Sequence, residues 1–383
     1  MTQPQPVWHE LAGQPEAVAQ LELAVKNRDR GVHHAWLFTG PPGSGRSNLA
    51  FAFAAALLCE SGGCAECKIC RMVASGTHPD VTVLSTERVQ ISIEEVRALV
   101  TNSYLGSSVG KYRIMVIEDA DRMAERSSNV LLKALEEPPA NTIWMLCAPS
   151  EADMLPTIRS RVRRVALKVP SVGAVAQLLI DRDGIEAKLA HQVAAESQSH
   201  IGMALRLATS SDARSRRRET LNSALNIRGV SSAMFAADQW LDIAKKDADA
   251  LTVLRDAEER EQLLGTMGLK VGDVIPPGLR SEFKQLEEAQ KRRATRSLRD
   301  GIDRILVDLL SLYRDILTLQ LGAGVPLVNA ELQAGIADQA QATTAAQTLE
   351  KLESIATARA RIDANVRDLL TLEALAVTLR RTD

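Results

Sequence analysis

At 383 residues the chain is longer than one ordinary domain, and two or three are expected. Lys and Arg total 46 against 48 Asp and Glu, a formal net charge of −2, which disfavours a bulk non-specific nucleic-acid binder and leaves room for a local basic patch on a neutral body. Hydrophobic content of 45% with 25% charged residues excludes disorder throughout, and aromatics at 3% point to cores of Ala, Leu, Val and Ile with few platforms for stacking single-stranded bases.

The opening Met1–Pro6 has neither a basic nor an apolar targeting region, and no apolar run approaches the ~18 residues of a membrane span, so a cytoplasmic protein without membrane contact is expected. The first half then alternates strand-like and helix-like patterns. Ala35–Thr39 reads as a strand, Ser47–Leu58 as a buried helix and Val81–Leu84 as a second strand. Ser92 to Glu95 has capping-box spacing and opens a helix that carries Val96, Leu99 and Val100 on one face. Arg113–Ile117, Thr142–Cys147 and Val162–Leu167 read as further strands, and Arg126–Glu137 as a helix stopped by Pro138-Pro139. Such alternation predicts an α/β fold with a parallel sheet and helices on both faces. After Pro170 the strands disappear. Val172–Asp181, Glu186–Glu196 and Gly202–Ala208 form a small helical lid, and from Asp212 the chain is helical, interrupted at Pro276-Pro277-Gly278 and Gly322–Pro326. Leu286–Leu310 is charged and helical, and Ala345–Leu379 repeats apolar residues at three and four. The expected organisation is an α/β domain over 1–168, a three-helix lid over 169–211 and an all-helical domain over 212–383.

Three motifs carry chemistry. Strand Ala35–Thr39 runs into Gly40-Pro41-Pro42-Gly43-Ser44-Gly45-Arg46-Ser47, the strand–loop–helix context of a phosphate-binding P-loop. Its glycines let backbone N–H groups converge on phosphates at the helix N-terminus, and Ser47 can hold magnesium. Arg46 stands where the pattern has Lys, and a planar fork does not replace a compact point charge. The partner strand ends in Glu118-Asp119, the reverse of the Asp-Glu order usual in hydrolysing enzymes. Moving both carboxylates by a methylene disfavours efficient hydrolysis. A degenerate site for ATP or ADP with Mg²⁺ is therefore expected.

Four of the five cysteines fall at Cys59, Cys64, Cys67 and Cys70. Four thiolates in one loop suit a closed, structural Zn²⁺ site, with an iron–sulfur cluster or redox disulfides as the alternatives. The fifth, Cys147, reads as a small buried hydrophobe. Between the last two strands, Arg159, Arg161, Arg163 and Arg164 are either a solvated basic surface or the source of an arginine that reaches a neighbouring subunit's nucleotide. Glu136-Glu137 at a helix end is not read as an acid–base pair, and His33, His34 and His78 read as structural.

In this order the motifs resemble the AAA+ clamp-loader family of the bacterial DNA polymerase III holoenzyme. The resemblance is carried by the four-cysteine loop after the P-loop helix, by Gly76-Thr77-His78-Pro79-Asp80, by Asn129–Pro139 with its Glu-Glu-Pro-Pro end, and by Ile158-Arg159-Ser160-Arg161-Val162, with Val162 in place of the family's Cys. It covers about the first 210 residues and implies a pentameric machine that loads a ring-shaped clamp onto primed DNA. It further implies motor (gamma/tau) and delta subunits as partners, the beta sliding clamp as target, and Arg161 as an arginine finger acting in trans. Gly202 occupies the place of a nucleotide-sensing arginine, which agrees with a stator that hydrolyses ATP negligibly. The helical remainder fits the family's collar by position and class. An active ATPase motor subunit and a zinc-containing DNA-binding module are the alternatives.

Overall fold

The computed structural model describes residues 6–9, 11–28, 31–86, 88–269, 273 and 275–381. The first five residues, read above for a targeting signal, lie outside the described residues. The chain divides into two compact units, Met1–Thr209 and Ser210–Asp383. No helix among the described residues is long and apolar enough to cross a membrane.

In chain order the first unit contains α1 (Pro15–Lys26), β1 (Ala35–Thr39), α2 (Arg46–Leu58), α3 (Lys68–Ala74), β2 (Val81–Leu84), α4 (Ile93–Ser103), β3 (Arg113–Ile117), α5 (Glu125–Glu136), β4 (Thr142–Ala148), α6 (Pro156–Arg159), β5 (Arg163–Ala166), α7 (Val172–Asp183), α8 (Ala187–Glu196) and α9 (Ile201–Thr209). The five strands form one sheet in the order β2-β3-β4-β1-β5, and every pair is parallel. Alternation along each strand sends side chains to two separate cores. Trp36, Phe38, Ile114, Val116, Met145 and Cys147 face α1 and α2, whereas Leu37, Met115, Ile117, Trp144 and Leu146 face α4 and α5. Phe53 of α2 meets Trp36 edge-on with ring centroids 5.0 Å apart. Because α2 is covered by the sheet, α1 and α3, it is apolar nearly all round. The expected capping box is present at α4: Ser92 Oγ accepts from the Glu95 N–H, and the Glu95 carboxylate accepts from the Ser92 N–H at 2.8 Å. Helices α7, α8 and α9 pack through Val175, Leu179, Val193, Ala194 and Leu207.

The second unit contains α10 (Ser211–Leu225), α11 (Val230–Thr266), α12 (Arg280–Gln320), α13 (Gln333–Ala342), α14 (Ala345–Asp363) and α15 (Asp368–Leu379). Its core joins Trp240 and Ala244 of α11 to Ile302, Leu306 and Leu309 of α12 and to Ile355, Leu372 and Leu375. Gly301 lets α12 approach the Ala244 backbone, where a Cβ would press on the Ala244 carbonyl. The apolar repeat over Ala345–Leu379 is two helices, because Asn365 takes a left-handed φ of 63° and the Val366 N–H bonds back to the Arg361 carbonyl.

One buried charge organises the entry to β3. Asp80 is fully buried, and its carboxylate accepts from the Ser108 N–H and Oγ (2.5 and 2.7 Å), the Val109 N–H (2.8 Å) and the Gly110 N–H (2.7 Å). Burial pushes this carboxyl up, but the donors from Ser108, Gly110 and Val109 outweigh it and hold the group at about 2. Asp80→Ala leaves those donors without their acceptor and should cost about 1–3 kcal/mol. A depressed pKa contributes stability above the unfolded carboxylate range, lost as pH falls through the folded value. The gap between wild type and Asp80→Ala in urea unfolding should therefore be full at about pH 5 and shrink as pH falls from ~4 to ~2.

Candidate functional site

The loop after β1 closes tightly because Gly43 and Gly45 adopt φ of +79° and +90°, which side chains other than glycine rarely take. Gly45 caps α2, Arg46 is the first residue of that helix and Ser47 the second, so both stand at its N-terminus as a P-loop requires. Arg46 turns back on the loop. Its guanidinium donates to the Gly40 carbonyl at 3.1 Å and lies 3.7 Å from Asp119 Oδ1. Asp119 has a left-handed φ of 49° and also faces Arg122 at 3.6 Å. Burial and the neighbouring Asp119 push the Asp121 carboxyl up. The inverted Glu118-Asp119 pair thus stands at the end of β3, with Asp119 bound to arginines of its own chain.

Gly43, Gly45, Arg46 and Ser47 line a cavity of about 320 Å³ together with Arg182 of α7 and Gly202 of α9. The structure therefore brings together the P-loop residues and Gly202 of the sequence reading, and adds residues that it missed. Arg182, bound to Asp183 at 2.8 Å, presents a cation on the wall that Gly202 leaves bare. His200 packs its ring where a Cβ on Gly43 would otherwise stand, and its Nδ1 accepts from the Met203 N–H at 3.2 Å. The Ile201 N–H donates to the Gly43 carbonyl at 3.2 Å, so the start of α9 is tied to the P-loop. Cys147 is buried as expected but lies close to this site: burial, then the charge of Glu118, pushes its thiol up to about 12, opposed by Arg46 and Ser47. That thiol is inert at neutral pH.

The four loop cysteines converge. Their sulfur atoms all lie within 4.8 Å of one another, with Cys59 to Cys64 at 3.8 Å and Cys59 to Cys67 at 3.9 Å. Sulfurs at ~2.3 Å from a tetrahedral zinc would stand ~3.8 Å apart, so the set fits that ion. The Cys67 N–H points at Cys64 Sγ and the Cys70 N–H at Cys67 Sγ, both at 3.4 Å. Burial pushes the Cys59 thiol up, but the backbone N–H groups of Cys64, Gly63 and Ser61 bring it down to about 6. All five cysteines are free thiols in this structure.

The basic segment is not one uniform patch. Arg163 lies over the Trp36 ring at 5.2 Å, and Arg164 pairs with Glu151. Arg161 donates to the Thr157 carbonyl at 2.7 Å and to Ser160 Oγ, and pairs with Glu136 at 2.5 Å. Glu136, at the end of α5, is thus an ion-pair partner rather than half of an acid–base pair. His33 and His34 stack at 4.7 Å in the first unit, remote in role from the P-loop: His33 Nδ1 faces the Ala35 carbonyl and His34 Nε2 the Leu135 carbonyl.

Thiol titration tests this geometry. In metal-loaded native protein the expected count of reagent-accessible thiols is near zero; a chelator should expose those of Cys59, Cys64, Cys67 and Cys70, while Cys147 should react only after denaturation. Modification of Cys147 in the folded protein would contradict its burial.

Residues 13–171 match the family described as DNA polymerase III, delta subunit. DNA polymerase III subunit delta' of Pseudomonas aeruginosa is 39% identical over 147 residues, which cover 37% of this chain and 45% of that relative, just under half its length. The subunit delta' of Bacillus subtilis is 23% identical over 378 residues, 97% of this chain and 98% of that relative. A subunit tau/gamma of Haemophilus influenzae is 27% identical over 279 residues, 69% of this chain and 40% of that relative. These matches bear out the resemblance carried by the motifs: the chain is similar to the delta-prime subunits of bacterial DNA polymerase III.

Proposed function

We propose that the chain is the stator subunit of a DNA polymerase III clamp loader. On this reading it hydrolyses ATP negligibly and helps motor (gamma/tau) and delta subunits place the beta sliding clamp on primed DNA, which it meets through the assembled complex. Residues 1–168 serve as the AAA+ domain, 169–211 as its lid and 212–383 as the oligomerising collar. The observation that carries the reading is the posture of Arg46. Its guanidinium is committed to the Gly40 carbonyl and to Asp119, the groups beside which a lysine would extend toward phosphate. The tie between Gly43 and the start of α9 supports the same conclusion, since a lid held by protein contacts needs no nucleotide to stay closed. Zinc, held by Cys59, Cys64, Cys67 and Cys70, would serve the fold of its loop and leave no position open for catalysis.

Arg161 is the residue proposed to act on a neighbour, completing the ATP site of an adjacent motor subunit. Its pairing with Glu136 is between partly exposed groups, 34% and 48%, and such pairs are worth about 0–1 kcal/mol. A phosphoryl group can therefore compete for the guanidinium, with which it forms stronger charge-assisted bonds. Arginine fingers contribute ~10³–10⁵ in rate in the best-studied systems, and a machine with several ATP sites should lose less than that from one finger.

A motor role is the second reading. The cavity lined by Arg46, Ser47 and Arg182 and the likeness to the Haemophilus influenzae tau/gamma subunit favour it. One experiment separates the two. The purified chain alone should show negligible turnover; mixed with motor and delta subunits and clamp, Arg161→Ala should lower clamp-dependent turnover and loading several-fold, while Arg163→Ala and Arg164→Ala should not. Robust turnover by the isolated chain that vanishes on Ser47→Ala would establish the motor reading instead.

A further inference from the structure

The first cysteine of the metal loop sits where the backbone runs short of donors. Cys59 caps the C-terminus of α2, where the last carbonyls have no helical donors. Arg28, just beyond α1, supplies them. Its NH1 donates to the Cys59 carbonyl at 2.7 Å and to the Ala56 carbonyl at 3.3 Å, and its NH2 donates to the Glu60 carbonyl at 2.6 Å. The arginine is itself anchored, since its carbonyl accepts from Tyr112 Oη at 3.0 Å and from Lys111 Nζ at 3.4 Å. Tyr112 is buried and immediately precedes β3, so the guanidinium is aimed by the body of the sheet and not by the cysteine loop.

We propose that Arg28 is a positioning residue of the metal centre: by binding the carbonyls of Ala56, Cys59 and Glu60 it fixes the backbone of Cys59 in the ligating posture. The proposal rests on the reading of the four cysteines as a zinc site. Arg71 serves as the control, because it follows Cys70 directly in sequence yet is exposed to solvent. A merely nearby positive charge would make the two arginines equivalent.

The test uses the full-length chain, stripped of metal and titrated with Zn²⁺ against a chromophoric competitor. Co²⁺ in parallel reports the ligand set through its thiolate absorption. Arg28→Met keeps the apolar stem and removes the guanidinium; it should weaken Zn²⁺ binding about 10–100-fold, as loss of outer-shell partners does elsewhere, with the four-thiolate Co²⁺ spectrum retained. Arg28→Lys should recover part of the loss, and Arg71→Met should bind as wild type does. Thermal melts with and without Zn²⁺ separate a metal effect from a general loss of stability, since the increment in Tm on adding Zn²⁺ should shrink in Arg28→Met. Wild-type affinity in Arg28→Met, equal losses in both methionine variants, or an equal drop in Tm with and without Zn²⁺ would each overturn the proposal. If the wild-type chain binds no Zn²⁺, the zinc reading falls and the proposal with it.

Discussion

A parallel strand cannot be joined to its neighbour by a tight turn, and every connection in this sheet must cross over and re-enter at the same edge. All loops that follow a strand therefore open on one side of the sheet. With β1 between β4 and β5, and β3 beside β4, the P-loop is gathered with the end of β3 and the last residues of β4. That constraint brings Arg46, Ser47, Glu118, Asp119 and Cys147 into one neighbourhood, although they span a hundred residues of sequence. It also decides what surrounds them. Strands buried on both faces admit only apolar side chains along their length, so every charge of the site is pushed to the strand ends.

Charges forced to one edge must find partners there, and in this chain they find one another. An arginine at the first position of α2 is long enough to fold back, and its fork reaches a carbonyl and a carboxylate at once. Asp119, in a left-handed conformation, can face both Arg46 and Arg122. A compact ammonium would not span these groups. The arginine and the reversed carboxylate pair thus meet within one chain, with Arg46 bound to the Gly40 carbonyl and facing Asp119. The ring of His200 against Gly43 and the Ile201 N–H on the Gly43 carbonyl tie α9 to the same loop.

The fold was legible wherever periodicity and chain punctuation agreed. The apolar runs at β1, β2 and β3 match the strands residue for residue, and the capping box at Ser92 marks the start of α4. Helix α1 carries ordinary signals that the sequence reading passes over, Pro15 at its first position and Val18, Leu21 and Val25 on one face, whereas α3 is hidden by its cysteines, whose spacing reads as metal ligation before it reads as helix. The break at Asn365 is a single left-handed residue within an uninterrupted apolar rhythm. In the candidate site, residue types were visible but their directions were not. Nothing in a linear pattern says that Arg46 turns inward, that Glu136 meets Arg161, or that Arg182 lines the wall beside Gly202, because each depends on which elements the sheet order makes neighbours.

The cysteine loop shows the opposite regime, in which local sequence cannot support its own structure. Between Cys59 and Cys67 the chain is polar and rich in glycine, and Gly62, Gly63 and Ala65 all adopt positive φ, with Ala65 at 62°. An alanine there is disfavoured by roughly 1–2 kcal/mol, and the glycines lose more backbone entropy than other residues. Burial does little to offset this, because the loop offers Val7 and Val25 few apolar side chains of its own. Apparent zinc binding of about 10–16 kcal/mol in small thiolate sites exceeds these costs several-fold. A metal bound by the four cysteines would therefore order the segment where packing does not. Polar ties join the segment to the rest of the unit: the Val7 N–H donates to the Gly63 carbonyl, and Arg28 grips the carbonyls of Cys59 and Glu60.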